Sequence, residues 1–220
     1  QEKCCILRRN SLKRRFILKA KISNREIWSI ALPIMLGNMA QTIINFTDTA
    51  FLGHVGVIAL GASMLAGLFY LLFTTVAAGF AIGIQIIVAR RFGEKNFSRI
   101  GVIFEHGSLF VLLLGSILFS ILYFFSDRLL LMLIDSPNLY EASVEYIKYR
   151  QFGILFVCFN YLYRALYVGI SNTKVITYST LIMAVVNILL DYCLIFGNLG
   201  FPQMGISGAA LASLSAELSA

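Results

Sequence analysis

Between Ile27 and Ala89 the chain is apolar or small at nearly every position, and Asp48 is its only Lys, Arg, Asp or Glu. A helix needs about 20 apolar residues to cross about 30 Å of hydrocarbon, so this run predicts two spans. They break near Gly53-His54-Val55-Gly56, giving 27–52 and 58–89. Later apolar runs predict spans at 103–125, 147–169 and 174–197, and a sixth opens at 205 and is cut short at 220. Barrel strands alternate polar and apolar positions over about ten residues. The run Leu109 to Phe125 does not alternate, so these elements are helices. The expected fold is an all-α polytopic membrane protein built as a six-helix transmembrane bundle. Its expected parts are a basic N-terminal segment, 1–26, and a transmembrane lobe, 27–220. Gly79-x-x-x-Gly83 reads as a packing contact between helices.

Composition supports the bilayer reading and removes a rival. Apolar residues make up 59% of the chain and charged residues 13%, too little charge to cover a water-soluble globule of this length. The net charge of +7 is not a nucleic-acid footprint. Residues 1–25 hold nine Lys/Arg against one acid, whereas the remainder holds nine bases against ten acids. Positive charge near spans marks the cytoplasmic side. The leader, the 2–3 connection (Arg90, Arg91, Lys95, Arg99) and Arg164 with Lys174 at the 4–5 turn fall on one side of an alternating bundle. The acids Asp127, Asp135, Glu141 and Glu145, mixed with Arg128, Lys148 and Arg150, form the expected 3–4 loop on the other. The N-terminus is therefore expected in the cytoplasm of a multi-pass protein of the cell (inner or plasma) membrane.

The leader is not a cleavable signal, because the apolar run behind it is too long and no small-residue cleavage site follows. Ile6, Leu7, Leu12, Phe16 and Ile17 interleave with its bases. It either lies on anionic lipid or serves as a solvated orientation determinant. Cys4-Cys5, Cys158 and Cys193 show neither zinc spacing nor a secreted disulfide framework.

Ionisable groups inside spans are functional candidates by default. On the first span Asn38, Gln41, Asn45 and Asp48 recur at steps of 3, 4 and 3 and so share one face, which points to a water-accessible cavity. On the fifth, Thr177, Thr180, Ala184, Asn187 and Asp191 share a face. At about 1.5 Å per residue, Asp48 lies roughly 30 Å along its span and Asp191 about 25 Å along its own. Ser213 falls about 12 Å down the returning sixth span. Asp48, Asn187, Asp191 and Ser213 can thus reach one level, where oxygen ligands suit a proton or a sodium ion.

Leu32-Pro33-Ile34-Met35 and Thr47-Asp48-Thr49-Ala50-Phe51-Leu52-Gly53-His54, followed by Asn187…Asp191…Gly205-Ile206-Ser207-Gly208-Ala209-Ala210-Leu211-Ala212, resemble the multidrug and toxic compound extrusion (MATE) family. The 2–3 connection and Asn160-Tyr161…Arg164 through Thr173-Lys174 fit the same pattern, over about 26–220. Ser213 stands where many relatives have Thr, and Thr47 where Val is common. The resemblance implies one lobe of a two-lobe, twelve-helix antiporter that exports small organic, mostly cationic, compounds by alternating access. On that reading the missing partner is the C-terminal lobe of the same chain, and the sequence is a fragment. The coupling ion is a proton or sodium held by Asp48, Asn187, Asp191 and Ser213. The resemblance makes Gln41 and Asn160 line the substrate cavity, alongside Asn38 and Asn45 of the first-span stripe, and makes Pro33 a bend. No resident cofactor, nucleotide-binding loop or nucleic-acid partner is expected.

Two other classes remain at this level. A different carrier or a channel needs the polar stripes without the coupling acids. An intramembrane serine protease finds its Gly-x-Ser-Gly pattern in Gly205-Ile206-Ser207-Gly208, but requires His54 or His106 as a base within reach of Ser207.

Overall fold

A computed structural model describes residues 24–220, and the chain divides into two units, Gln1–Leu32 and Pro33–Ala220. The Cys4-Cys5 pair and the leader's interleaved apolar residues lie outside the described residues. Residues 24–32 of the first unit are helical and open α1, Asn24–Val55.

The other helices are α2 (Val57–Gly93), α3 (Phe97–Leu133), α4 (Pro137–Arg150), α5 (Ile154–Gly169), α6 (Thr173–Phe196) and α7 (Ile206–Ser219). A 3₁₀ turn, Gln151–Gly153, joins α4 to α5, so that Pro137–Gly169 counts as one candidate span. Five helical stretches among the described residues are long and apolar enough to cross a membrane. No strand occurs among them.

Two sequence expectations are corrected. The third span runs eight residues beyond 125, and the expected 3–4 loop shrinks to residues 134–136. Asp127, Arg128, Glu141, Glu145, Lys148 and Arg150 are helical rather than looped. A charge ends an apolar run without ending a helix, because a helix needs only backbone bonds and a tolerable environment for each side chain. Pro137 starts α4 at a position where its missing N–H costs nothing. The Gly79-x-x-x-Gly83 expectation also changes. A Cβ at either glycine would meet nothing within 4 Å, so this pair touches no neighbouring helix in the described chain.

The main core lies between α2, α3, α4 and α5, with Phe69, Leu122, Leu130, Ile147, Ile154 and Leu162 buried in it. A second cluster joins Leu52, Ala62, Ile195, Ile206 and Ala209, where α6 and α7 come closest. A Cβ on Gly208 would sit 2.6 Å from the Leu194 carbonyl oxygen. Backbone cannot yield as a side-chain tip can, so Gly208→Ala is expected to destabilise the lobe by about 1–3 kcal/mol. A lowered thermal unfolding midpoint of the nanodisc-held protein checks this.

At the α2–α3 connection Arg90 and Arg91 bond Glu94 at 3.2 and 2.7 Å. These bonds hold the Glu94 carboxyl below the ordinary carboxylate range. Their contribution is therefore present above that range and is lost as pH falls through the lowered value. Lower amide-exchange protection at 94–96 in strong acid, measured relative to the intrinsic exchange rate at each pH and constant between pH 6 and 8, is the expected readout.

Candidate functional site

The polar face of α6 lies along α1. The Thr177 hydroxyl donates to the Pro33 carbonyl at 2.7 Å, while its distance to the Thr173 carbonyl in its own helix is 3.4 Å. Thr180 Oγ1 would lie 3.7 Å from a Cβ on Gly37, and Ala184 packs with Ala40 and Ile44. Small residues every third or fourth position let the two helices approach. At the far end of this seam the Asp48 and Asp191 carboxyls come within hydrogen-bonding reach of each other.

Asp191 is 0% exposed and Asn187, one turn earlier, 1%. Asp48 Oδ1, Asn187 Oδ1 and both Asp191 carboxylate oxygens are buried without a hydrogen-bond partner. Four buried acceptor oxygens are therefore left with no donor bonded to them among the described residues. Each unsatisfied buried polar atom costs on the order of 1–3 kcal/mol, and two adjacent carboxylates in apolar surroundings also repel. A proton or a small monovalent cation relieves both problems, and the oxygen-only donor set fits either.

A second charged cluster joins α4 to α7. Arg150 forms a two-pronged ion pair with Glu217 of α7, one arm being Nη1 to Oε2 at 2.6 Å. The two side chains are 13% and 12% exposed. The Arg150 guanidinium lies 4.3 Å from the centre of the Tyr70 ring, and Asn160 Nδ2 donates to the Glu217 carbonyl at 2.9 Å. Gly153 is a glycine for want of space: a Cβ there would stand 2.5 Å from Glu217 Oε2 and 2.7 Å from Arg150 Nη1. At the start of α7, Ser207 hydrogen-bonds Glu145.

The expected site residues are thus distributed unevenly. Asp48, Asn187 and Asp191 come together. Ser213 is half-buried on α7, one turn before Glu217, and makes no hydrogen bond among the described residues. Asn38, Gln41 and Asn45 are exposed along α1; Gln41 donates to Asn45 at 3.4 Å, and Asn38 accepts from Arg164 at 3.4 Å. Asn160 is committed to Glu217. Pro33 sits inside a continuous α1. Ser207 engages Glu145, while both histidines bond backbone carbonyls of their own helices, Ala50 and Val102. The serine–histidine pairing that a protease needs is therefore not formed. Sequence reading missed Arg150, Glu217 and Tyr70. A usable signal existed, since Glu217 follows Ser213 by four residues and so shares its face.

The MatE family model matches residues 33–193. "Probable multidrug resistance protein NorM" of Agrobacterium fabrum is 30% identical over 185 residues, which are 84% of this chain and 40% of that protein. "Multidrug resistance protein NorM" of Photobacterium profundum is 28% identical over 86% of this chain and 41% of its own length. The chain thus spans about 40% of the length of these curated relatives. Among solved structures, a MATE protein in complex with MaL6 aligns with a TM-score of 0.80 and 25% identity, over 88% of this chain and 42% of that one. A MATE protein in the straight conformation gives 0.79, and one in the bent conformation 0.77.

Proposed function

This chain belongs to the MatE family of multidrug efflux transporters, and from that premise we propose that it forms the N-terminal lobe of a cation-coupled antiporter exporting small organic cations. The four orphaned oxygens at Asp48, Asn187 and Asp191 carry this reading. The site has spare negative charge, and no hydrogen bond among the described residues reaches these four oxygens. A driving proton or sodium ion and an outgoing organic cation then compete, directly or through conformation, for one charge deficit. Ser213 joins the ion's oxygen shell in one state of the cycle. Asn38, Gln41 and Asn45 line the path from the exposed side of α1.

Coupling requires two conformations that the ion binds unequally. The seam between α1 and α6 supplies a physical route. Small residues and one hydroxyl–carbonyl bond hold the two helices beside each other, so relocating charge at Asp48 can alter how α1 lies. Pro33 is the place to bend, because proline gives its helix one backbone bond fewer. Thr177 tethers the same residue. Thr177→Val should change the ion-dependent transport rate about threefold or more while Thr177→Ser stays near wild type, since a shared interhelical hydrogen bond in a bilayer is worth on the order of 0.6–1.7 kcal/mol. Equal rates for Thr177→Val and the wild type would remove the tether from the mechanism.

In the cell this reading places the protein in the inner or plasma membrane with a cytoplasmic N-terminus, completed by a second lobe. It is tested by reconstituting the full-length protein and imposing a proton or sodium gradient on dye-loaded liposomes. Gradient-driven export of a fluorescent organic cation supports it. Dye movement indifferent to both gradients favours a channel or another kind of carrier.

A further inference from the structure

The Arg150–Glu217 pair is not explained by the ion site, yet it sits beside it. Tyr146 of α4 packs against the cluster of Leu52 and Ile195, each one turn beyond an acid, and Arg150 follows Tyr146 by one turn on the same face, so Arg150 falls near the level of Asp48 and Asp191. By this packing Asp48 is surrounded by Asp191 and Asn187 from α6 and by the Tyr146–Arg150 turn of α4. Glu217 is faced by Arg150, Tyr70, Asn160 and Cys158.

A buried ion pair is weak grounds for stability alone, since desolvation offsets most of its attraction. The surroundings nevertheless hold this one in a fixed geometry: Tyr70 backs the guanidinium, Asn160 fixes the Glu217 backbone, and the missing Cβ of Gly153 leaves room for both side chains. Arginine stays charged at any physiological pH. Left alone beside Asp48 it would act as a built-in counter-cation and satisfy the acid pair permanently.

We propose that Glu217 is a charge shield: by engaging Arg150 it cancels the fixed positive charge next to Asp48, so that the acid pair must take its counter-charge from an external monovalent cation. Arg150 and Glu217 are thus positioning residues acting through Asp48. The inference rests on the ion-site reading above and extends it with two residues that do not bind the ion.

The test is a charge cycle in the full-length protein held in lipid nanodiscs. The half-saturating ion concentration is read from ligand-induced thermal stabilisation. One arm titrates sodium against N-methylglucamine at pH 8, and the other titrates acid in sodium-free buffer. In whichever arm the wild type responds, Glu217→Gln should raise the half-saturating concentration about tenfold or more, because an unshielded cation beside the site opposes a second one. The double variant Arg150→Gln/Glu217→Gln is neutral again and should return to within about threefold of wild type. Glu217→Asp, which keeps the charge, should stay close to wild type as well.

A purely structural pair predicts otherwise, since both Glu217→Gln and the double variant have lost the ion pair and should be impaired alike. That result, or an unchanged ion response in Glu217→Gln, overturns the shield. A wild type that responds in neither arm fails differently, by contradicting the ion-site reading on which the shield depends.

Discussion

Asp191→Asn is expected to lower ion-driven transport about 100-fold while leaving the protein as stable as wild type or more so. The two effects have one cause. Asp191 contributes two of the four orphaned oxygens, and asparagine replaces one of them with a donor of nearly the same size. That donor can bond Asp48 or Asn187, satisfying acceptors that otherwise lack a partner, which should add about 1 kcal/mol of stability. The ion then finds one negative charge where it had two, and the coupling free energy of about 1–3 kcal/mol that such linkage typically supplies is lost. Transport of a labelled cation and the thermal midpoint are measured on the same preparation. A variant that loses stability and activity together would mark Asp191 as a structural residue instead.

Arg150→Met is expected to be the most destabilising single change among the residues discussed. It leaves the Glu217 carboxylate, 12% exposed, without its cation in the interior of a membrane lobe. Breaking one side of a buried pair typically costs about 3–5 kcal/mol, whereas replacing both sides with apolar groups is often neutral. Pairing Arg150→Met with Glu217→Leu should therefore recover most of the lost stability. The cavity round Tyr70 and Gly153 would then be filled by packing instead of by charge. Chemical unfolding in detergent distinguishes these outcomes, and a double variant as unstable as Arg150→Met would show that the guanidinium does more than answer Glu217.

These two residues also mark how far the sequence could be read. Asp191 was legible because helical periodicity places it in register with Asn187, and because a carboxylate inside an apolar run stands out. Asp48 was legible for the same reasons, and their common level followed from counting residues along two parallel helices. Arg150 was not. It lies in a stretch where Glu141, Glu145, Lys148 and Arg150 interrupt the apolar pattern, and that density of charge reads as a loop. The burial of its charge depends on Glu217, 67 residues away, on Tyr70 and on the space at Gly153, none of which local pattern reveals. The resemblance makes Asn160 a cavity residue, and the bond from its amide to the Glu217 backbone is one that spacing along the chain does not reveal. Gly79 and Gly83 have the spacing of a packing motif without a helix to pack on, because spacing specifies an opportunity for contact and not a partner.

The central claim is that an ion at Asp48–Asp191 is exchanged for the exported compound, and simultaneous recording of both fluxes tests it most directly. Liposomes containing the full-length protein are loaded with the coupling ion, sodium or protons, and an organic cation is then added on the opposite side. For the wild type, adding the cation should trigger ion release in step with cation uptake; in Asp191→Asn the ion release should disappear. Cation movement in the wild type without any ion flux, or ion release undiminished in Asp191→Asn, would contradict the account.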